Sequence, residues 1–215
     1  DSGAEQRTQW VTTNRLLHKV TESLRLAARF NYSDTDDALN PAAGAKFIEG
    51  NIGFALRPWN TTRYALLGKY THLYDVSTLE QVGDNVAFYD QKSQILSLEG
   101  VYNPDSRWEF AGKLMQRKGE VRMGRMSGEW ADSTATFVAA QVRWAFADQW
   151  HSLAEYRWLD VKDGGTRQGL LVGIDRDIGR NFRIGLGYNF TEFSYDLTNF
   201  DYDHKGWFLN LVGTY

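Results

Sequence analysis

The sequence has no cysteine, so it offers neither a disulfide framework nor a thiolate metal site. It has only 3 prolines in 215 residues, and no Pro/Gly/Ser-rich or charged linker divides it, so it reads as one domain spanning 1–215. It also lacks any run of about 18 uncharged apolar residues, which excludes a membrane-crossing helix. Neither sign of charge dominates: the formal net charge is −3, and the basic patch expected of a nucleic-acid-binding protein is missing. The opening Asp1-Ser-Gly-Ala-Glu-Gln6 lacks the basic start and apolar core of a signal peptide, so export is expected to be encoded upstream. What the chain does have is aromatic content, 14% with 8 Trp and 11 Tyr, together with 20 Gly. That balance is unusual for a soluble enzyme and suits strands whose rings sit at a membrane–water boundary.

The strongest positive signal is alternation with a period of two, which places successive side chains on opposite faces of a strand. It is cleanest where Phe182, Ile184, Leu186, Tyr188 and Phe190 alternate with Arg183, Gly185, Gly187, Asn189 and Thr191. One set is wholly apolar; the other is small or polar. Similar patterns run through Leu170–Asp175, Ala154–Trp158, Val138–Phe146, Trp108–Met115, Ser93–Tyr102, Arg63–Tyr70, Ile48–Arg57 and Leu24–Tyr32. Gln9–Leu17 reads as a strand of unclear facing. The count is about eleven strands of roughly ten residues, the length a tilted strand needs to cross a bilayer. Strands of soluble proteins average nearer five or six, which weighs against a soluble sandwich. The expected fold is all-β: an antiparallel transmembrane β-barrel.

Connections are expected to alternate between tight and long. Tight ones fall at Lys19–Glu22, Pro58–Asn60, Asn103–Ser106, Asp148–Gln149 and Ile178–Arg180; long ones at Asp34–Ala45, Val76–Ala87, Gly119–Ser133, Asp160–Thr166 and Asp196–Lys205. Outer-membrane barrels have short periplasmic turns and longer external loops, so the tight turns and the C-terminus are assigned to the periplasm. An odd strand count that starts outside implies a further strand upstream and a complete barrel of twelve or more.

Counting back in twos from Tyr215 gives Gly213, Leu211, Leu209 and Trp207, an apolar face that ends on an aromatic. This is similar to the C-terminal signal that the barrel-assembly machinery reads, with Trp207, Leu209, Leu211 and Tyr215 as its residues. The stretch from Gly165 to Tyr215, including Gly173-Ile-Asp-Arg-Asp-Ile-Gly-Arg-Asn-Phe-Arg183 and Gly187-Tyr-Asn-Phe-Thr191, resembles the C-terminal barrel domains at the ends of large, modular Gram-negative surface proteins. The resemblance implies an anchor or translocation role for upstream modules of the same chain. It carries over no functional residues.

The second face holds Arg25, Arg29, Arg57, Arg63, Lys69, Lys113, Arg117, Arg143, Arg157 and Arg183, against Glu49, Glu99, Glu109, Glu155 and Asp175. Either these cations line an anion-favouring pore, or they form cross-strand pairs with carboxylates inside a filled barrel. The 4 histidines are scattered, at His18, His72, His151 and His204, and no serine-containing hydrolase motif accompanies them. His204 beside Asp203, with Asp201 near, reads first as a solvated loop rather than an acid/base pair. Asp34, Asp36, Asp37, Asp196, Asp201 and Asp203 lack the spacing of a calcium loop. No enzyme activity, metal or cofactor is expected. The partners expected are outer-membrane lipid, lipopolysaccharide, the assembly machinery and the upstream modules. Two roles stay open: membrane anchor or translocation conduit of a larger surface protein, and independent porin. On the expected facing, Leu186→Arg is costly, by about 2–4 kcal/mol, and Gly187→Ser is mild.

Overall fold

A computed structural model describes residues 7–38, 45–76, 89–123, 128–179, 181–190 and 205–213. Its strands are β1 (Arg7–Lys19), β2 (Leu24–Asp37), β3 (Ala45–Leu56), β4 (Tyr64–Val76), β5 (Tyr89–Tyr102), β6 (Trp108–Met123), β7 (Trp130–Asp132), β8 (Ala135–Ala147), β9 (Trp150–Val161), β10 (Gly165–Ile178), β11 (Phe182–Asn189) and β12 (Gly206–Gly213). The order in the sheet follows the chain, and β7 is a side branch on β6. Among the described residues eleven long strands therefore carry the fold, as the alternation predicts, and one further strand, β7, is a three-residue addition.

Short polar side chains close the tight turns by accepting their N–H groups. Thr21 Oγ1 accepts from Leu24 N at 3.0 Å, Thr61 Oγ1 from Arg63 N at 3.1 Å, and Asp105 Oδ1 from Arg107 N at 2.7 Å. Two expected long loops turn out differently. The chain from Asp160 to Thr166 is a tight hairpin, because Asp163 (φ 61°) and Gly165 (φ 83°) take left-handed backbone, which lets the chain reverse within residues 162–164. The strict alternation of tight and long connections therefore fails at β9–β10. Within Gly119–Ser133, β6 continues to Met123 and β7 folds back on it, pairing Val121 with Ala131.

By its contacts the chain divides into two compact units: residues 1–54, 69–96 and 117–134, and residues 55–68, 97–116 and 135–215. In the first, β1 and β2 pair from Arg7↔Asp37 to Lys19↔Arg25, which settles the facing of β1. Thr12, Asn14 and Leu16 share a face with Tyr32, Phe30 and Ala28, and Thr13 and Arg15 share the other with Asn31 and Arg29. In the second, β8 to β12 form consecutive hairpins in continuous register.

On β6, β10 and β11 burial follows the sequence alternation. Along β11, Phe182, Ile184 and Leu186 are exposed while Gly185, Gly187 and Asn189 are buried. On β12, Trp207, Leu209 and Leu211 are 74%, 70% and 68% exposed. A soluble sheet would bury those side chains. Long strands with one apolar face turned outward and polar groups buried on the other are the two-faced sheet of a transmembrane β-barrel protein. At the tight-turn end of the second unit the outer aromatics gather: Trp108 stacks on Trp144 at 5.5 Å and 12°, and Arg176 lies 5.2 Å from the ring of Trp150. Amphipathic rings in such a band sit at the level of lipid headgroups.

The expectation that Gly187 tolerates a side chain is overturned. Gly187 pairs with Gly173 on β10 and with Phe208 on β12, and the Phe208 ring lies over it. A Cβ there would collide with the ring tip and come within 2.7 Å of the Val172 carbonyl oxygen. The glycine is the socket for the aromatic.

Candidate functional site

The face opposite the apolar one, called inner below, carries the polar groups, and the two units treat them differently. In the first unit a neutral ladder crosses β2, β3 and β4. Glu49 accepts from Asn31 Nδ2 and from Asn51 Nδ2, both at 2.7 Å, one at each oxygen, and Asn51 Oδ1 accepts from Thr71 Oγ1 at 2.6 Å. Arg29 joins at the edge, its Nε donating to Asn31 Oδ1 at 3.3 Å. Asn31 on β2 and Thr71 on β4 each reach one strand to β3, where Asn51 bonds to Glu49, so the ladder needs only one carboxylate.

In the second unit the inner face is ionic. Arg143 on β8 reaches across β9 to Asp175 on β10, with Nη2 to Oδ2 at 2.7 Å, and Asp175 is 5% exposed. Asp177 accepts from Arg183 Nε at 2.6 Å and contacts His151 Nε2 at 2.8 Å. Glu155 pairs with Arg157 two residues along β9 and accepts from Gln141 Nε2 at 3.2 Å. Here pairing accounts for three of the predicted cations: Arg143, Arg157 and Arg183 each have a carboxylate partner. The missed partner is Asp177, whose two-residue spacing from Asp175 puts it on the same face and would have revealed it.

The remaining sequence-predicted residues are scattered. Arg117 is buried, at 1% exposure, and its Nη2 lies 3.4 Å from Gln91 Oε1. Lys113 is half-buried on β6, and Lys69 is exposed on β4. Arg25 and Arg29 stand opposite Lys19 and Arg15 across β1–β2. Arg57 and Arg63 lie just outside β3 and β4, flanking the turn between them rather than within the strands. The inner face is not purely polar either: Leu73 and Ile95 are buried in the first unit, and Met115, Phe137 and Leu159 in the second. Of the assembly-signal residues, Trp207, Leu209 and Leu211 share the exposed face of β12, whereas Tyr215 lies outside the described residues, as do His204, Asp196, Asp201 and Asp203.

At its long-loop end the first unit adds a cluster on the other face. Arg122 pairs with the buried Asp90, Lys92 pairs with Glu120, and both cations flank the Trp130 ring, at 4.8 Å and 4.4 Å. This clamp holds β7 down on β6. Among the described residues, no group of three His, Asp or Glu side chains is placed to hold a metal ion.

No protein-family model matches the chain, and no curated protein sequence is detectably similar to it. Among solved structures, it is similar to the Pseudomonas putida toluene transporter TodX, with a TM-score of 0.45 and 11% identity over 86% of this chain and 64% of that one. It is also similar to the copper transporter OprC, with a TM-score of 0.46 and 11% identity over 90% of this chain and 38% of that one. The translocator domain of the autotransporter NalP from Neisseria meningitidis gives a TM-score of 0.35 and 14% identity over 99% of this chain and 81% of that one. The chain thus spans less than two-thirds of the length of TodX or OprC.

Proposed function

We propose that this chain is an outer-membrane β-barrel serving as the membrane anchor or translocation conduit of a larger surface protein, with its C-terminus in the periplasm. The observation that carries the reading is the occupation of the inner face in the second unit. Arg143, Arg157 and Arg183 are neutralised in place by Asp175, Glu155 and Asp177, and Met115, Phe137 and Leu159 are buried in the same unit. A wall tied together in this way suits a rigid holder better than a field that selects anions. The apolar face of β12, with Trp207, Leu209 and Leu211, suits recognition by the barrel-assembly machinery. The outer aromatics suit contact with outer-membrane lipid and lipopolysaccharide. In this reading the chain is not an enzyme, and upstream modules are its cargo.

A second reading, a porin with a basic lumen, is favoured by one feature. On β1–β2, Arg15 stands directly opposite Arg29 and Lys19 opposite Arg25. Like charges so placed destabilise a sheet, so an anionic solute passing them would be attracted. Single-channel recording of the full-length protein in planar bilayers separates the two. The anchor reading expects no steady conductance from the folded barrel with its upstream region in place; a sustained anion-selective current overturns it.

A further inference from the structure

The second unit contains a hollow on its inner face that none of the ion pairs above explains. It has a volume of about 280 Å³, and its floor is made of small side chains on neighbouring strands, Ala111 on β6 and Ala139 on β8, with Phe137 beside them. Neighbouring inner positions on the same strands carry Lys113 and Gln141, so the hollow arises because two adjacent residues stop at a methyl group. Its rim is charged on both sides of the floor: Glu99 from β5 and Lys113 from β6, then Glu155 and Arg157 from β9. The rim sums to zero, with two carboxylates and two cations.

We infer that this hollow binds a small zwitterion with a short apolar side chain, of the α-amino-acid class. A plain anion entering it meets Glu99 and Glu155; a plain cation meets Lys113 and Arg157. An uncharged solute gains nothing from four fixed charges whose desolvation it must oppose. A molecule with an ammonium and a carboxylate satisfies both signs at once. Glu99 is the natural seat of the ammonium, because its exposed carboxylate has no hydrogen bond or ion pair among the described residues, whereas Glu155 is already engaged by Arg157 and Gln141. The ligand's carboxylate then falls toward Lys113 on the neighbouring strand, and its side chain lies on the alanine methyls against Phe137. The volume suits a ligand of that size and excludes a bulky one.

The inference deepens the second reading, since a solute must reach the inner face, but binding is measured without conduction. Saturation-transfer NMR on the folded full-length protein in detergent, with L-valine as probe, is expected to show saturable binding. Isobutylamine and isovalerate, each carrying one of the two charges, bind at least about tenfold more weakly, the loss of one charge-assisted contact. Glu99→Gln, at an exposed side chain, weakens valine to a similar degree, and Ala139→Leu, which fills the floor, abolishes the signal while heat-modifiable gel mobility reports that both variants fold. Equal binding of valine and isovalerate, equal binding of valine and isobutylamine, or no saturable binding of valine overturns the inference. A conducting barrel that does not bind valine defeats the inference and leaves the porin reading standing; a non-conducting barrel that binds it does the reverse.

Discussion

The inner face of β2–β4 and that of β8–β11 solve one problem with different chemistry. Both must satisfy polar groups away from bulk water. The first uses amides and a hydroxyl around the single carboxylate of Glu49; the second uses arginines that reach across strands to Asp175 and Asp177. Asparagine and threonine are short, so their ladder advances one strand at a time and constrains only neighbours. Arg143 spans from β8 to β10, so a single side chain fixes three strands. The ionic wall is therefore stiffer and more fragile: each buried charge depends on its partner, whereas a neutral ladder loses only one rung at a time.

The sharpest way to break this comparison is Asp175→Asn, which leaves the half-buried Arg143 without its counter-charge. We expect a loss of about 3–5 kcal/mol, read as a lower urea midpoint in detergent. If Arg143→Met combined with Asp175→Leu recovers most of that loss, the cost lies in the unpaired charge rather than in the shape of the site. Next is Leu186→Arg on the exposed face of β11, expected to cost about 2–4 kcal/mol near midplane and to reduce the folded fraction after insertion into vesicles. Gly187→Ser, on the opposite face, is expected to cost about 1–3 kcal/mol through the Phe208 ring. Pairing it with Phe208→Ala should restore part of this in a double-mutant cycle, and strict additivity would show that the ring is not the obstacle. The smallest effect is Glu49→Gln, about 1 kcal/mol by chemical denaturation, because one acceptor survives in the neutral ladder. A cost equal to that of Asp175→Asn would erase the distinction between the two regions.

Much of this fold was legible because a strand writes its environment into alternate residues. Phe182–Asn189 announces both faces, and the outer set Trp207, Leu209 and Leu211 lies where counting in twos places it. Charge pairing was legible only in part. Alternation assigns Arg143 and Asp175 to one face, but their contact depends on the register of three strands, which no local pattern contains. The hairpin at residues 162–164 was misread as a long loop because Asp and Gly mark flexible connections as well as left-handed turns, and only the φ values separate the two. The role of Gly187 was hidden for a related reason. A glycine facing inward looks like empty space until the strand that fills it is placed alongside.

That socket bears on how the last strand finds its place. Sliding β12 by one residue against β11 would turn Trp207, Leu209 and Leu211 inward, an error that the apolar surroundings reject. Sliding it by two keeps those residues outward and is invisible to hydrophobicity. It would, however, bring Gly206 or Asn210 opposite Gly187 in place of Phe208. The ring over the glycine thus acts as a proofreading contact, distinguishing the correct alignment from near misses that greasiness alone accepts.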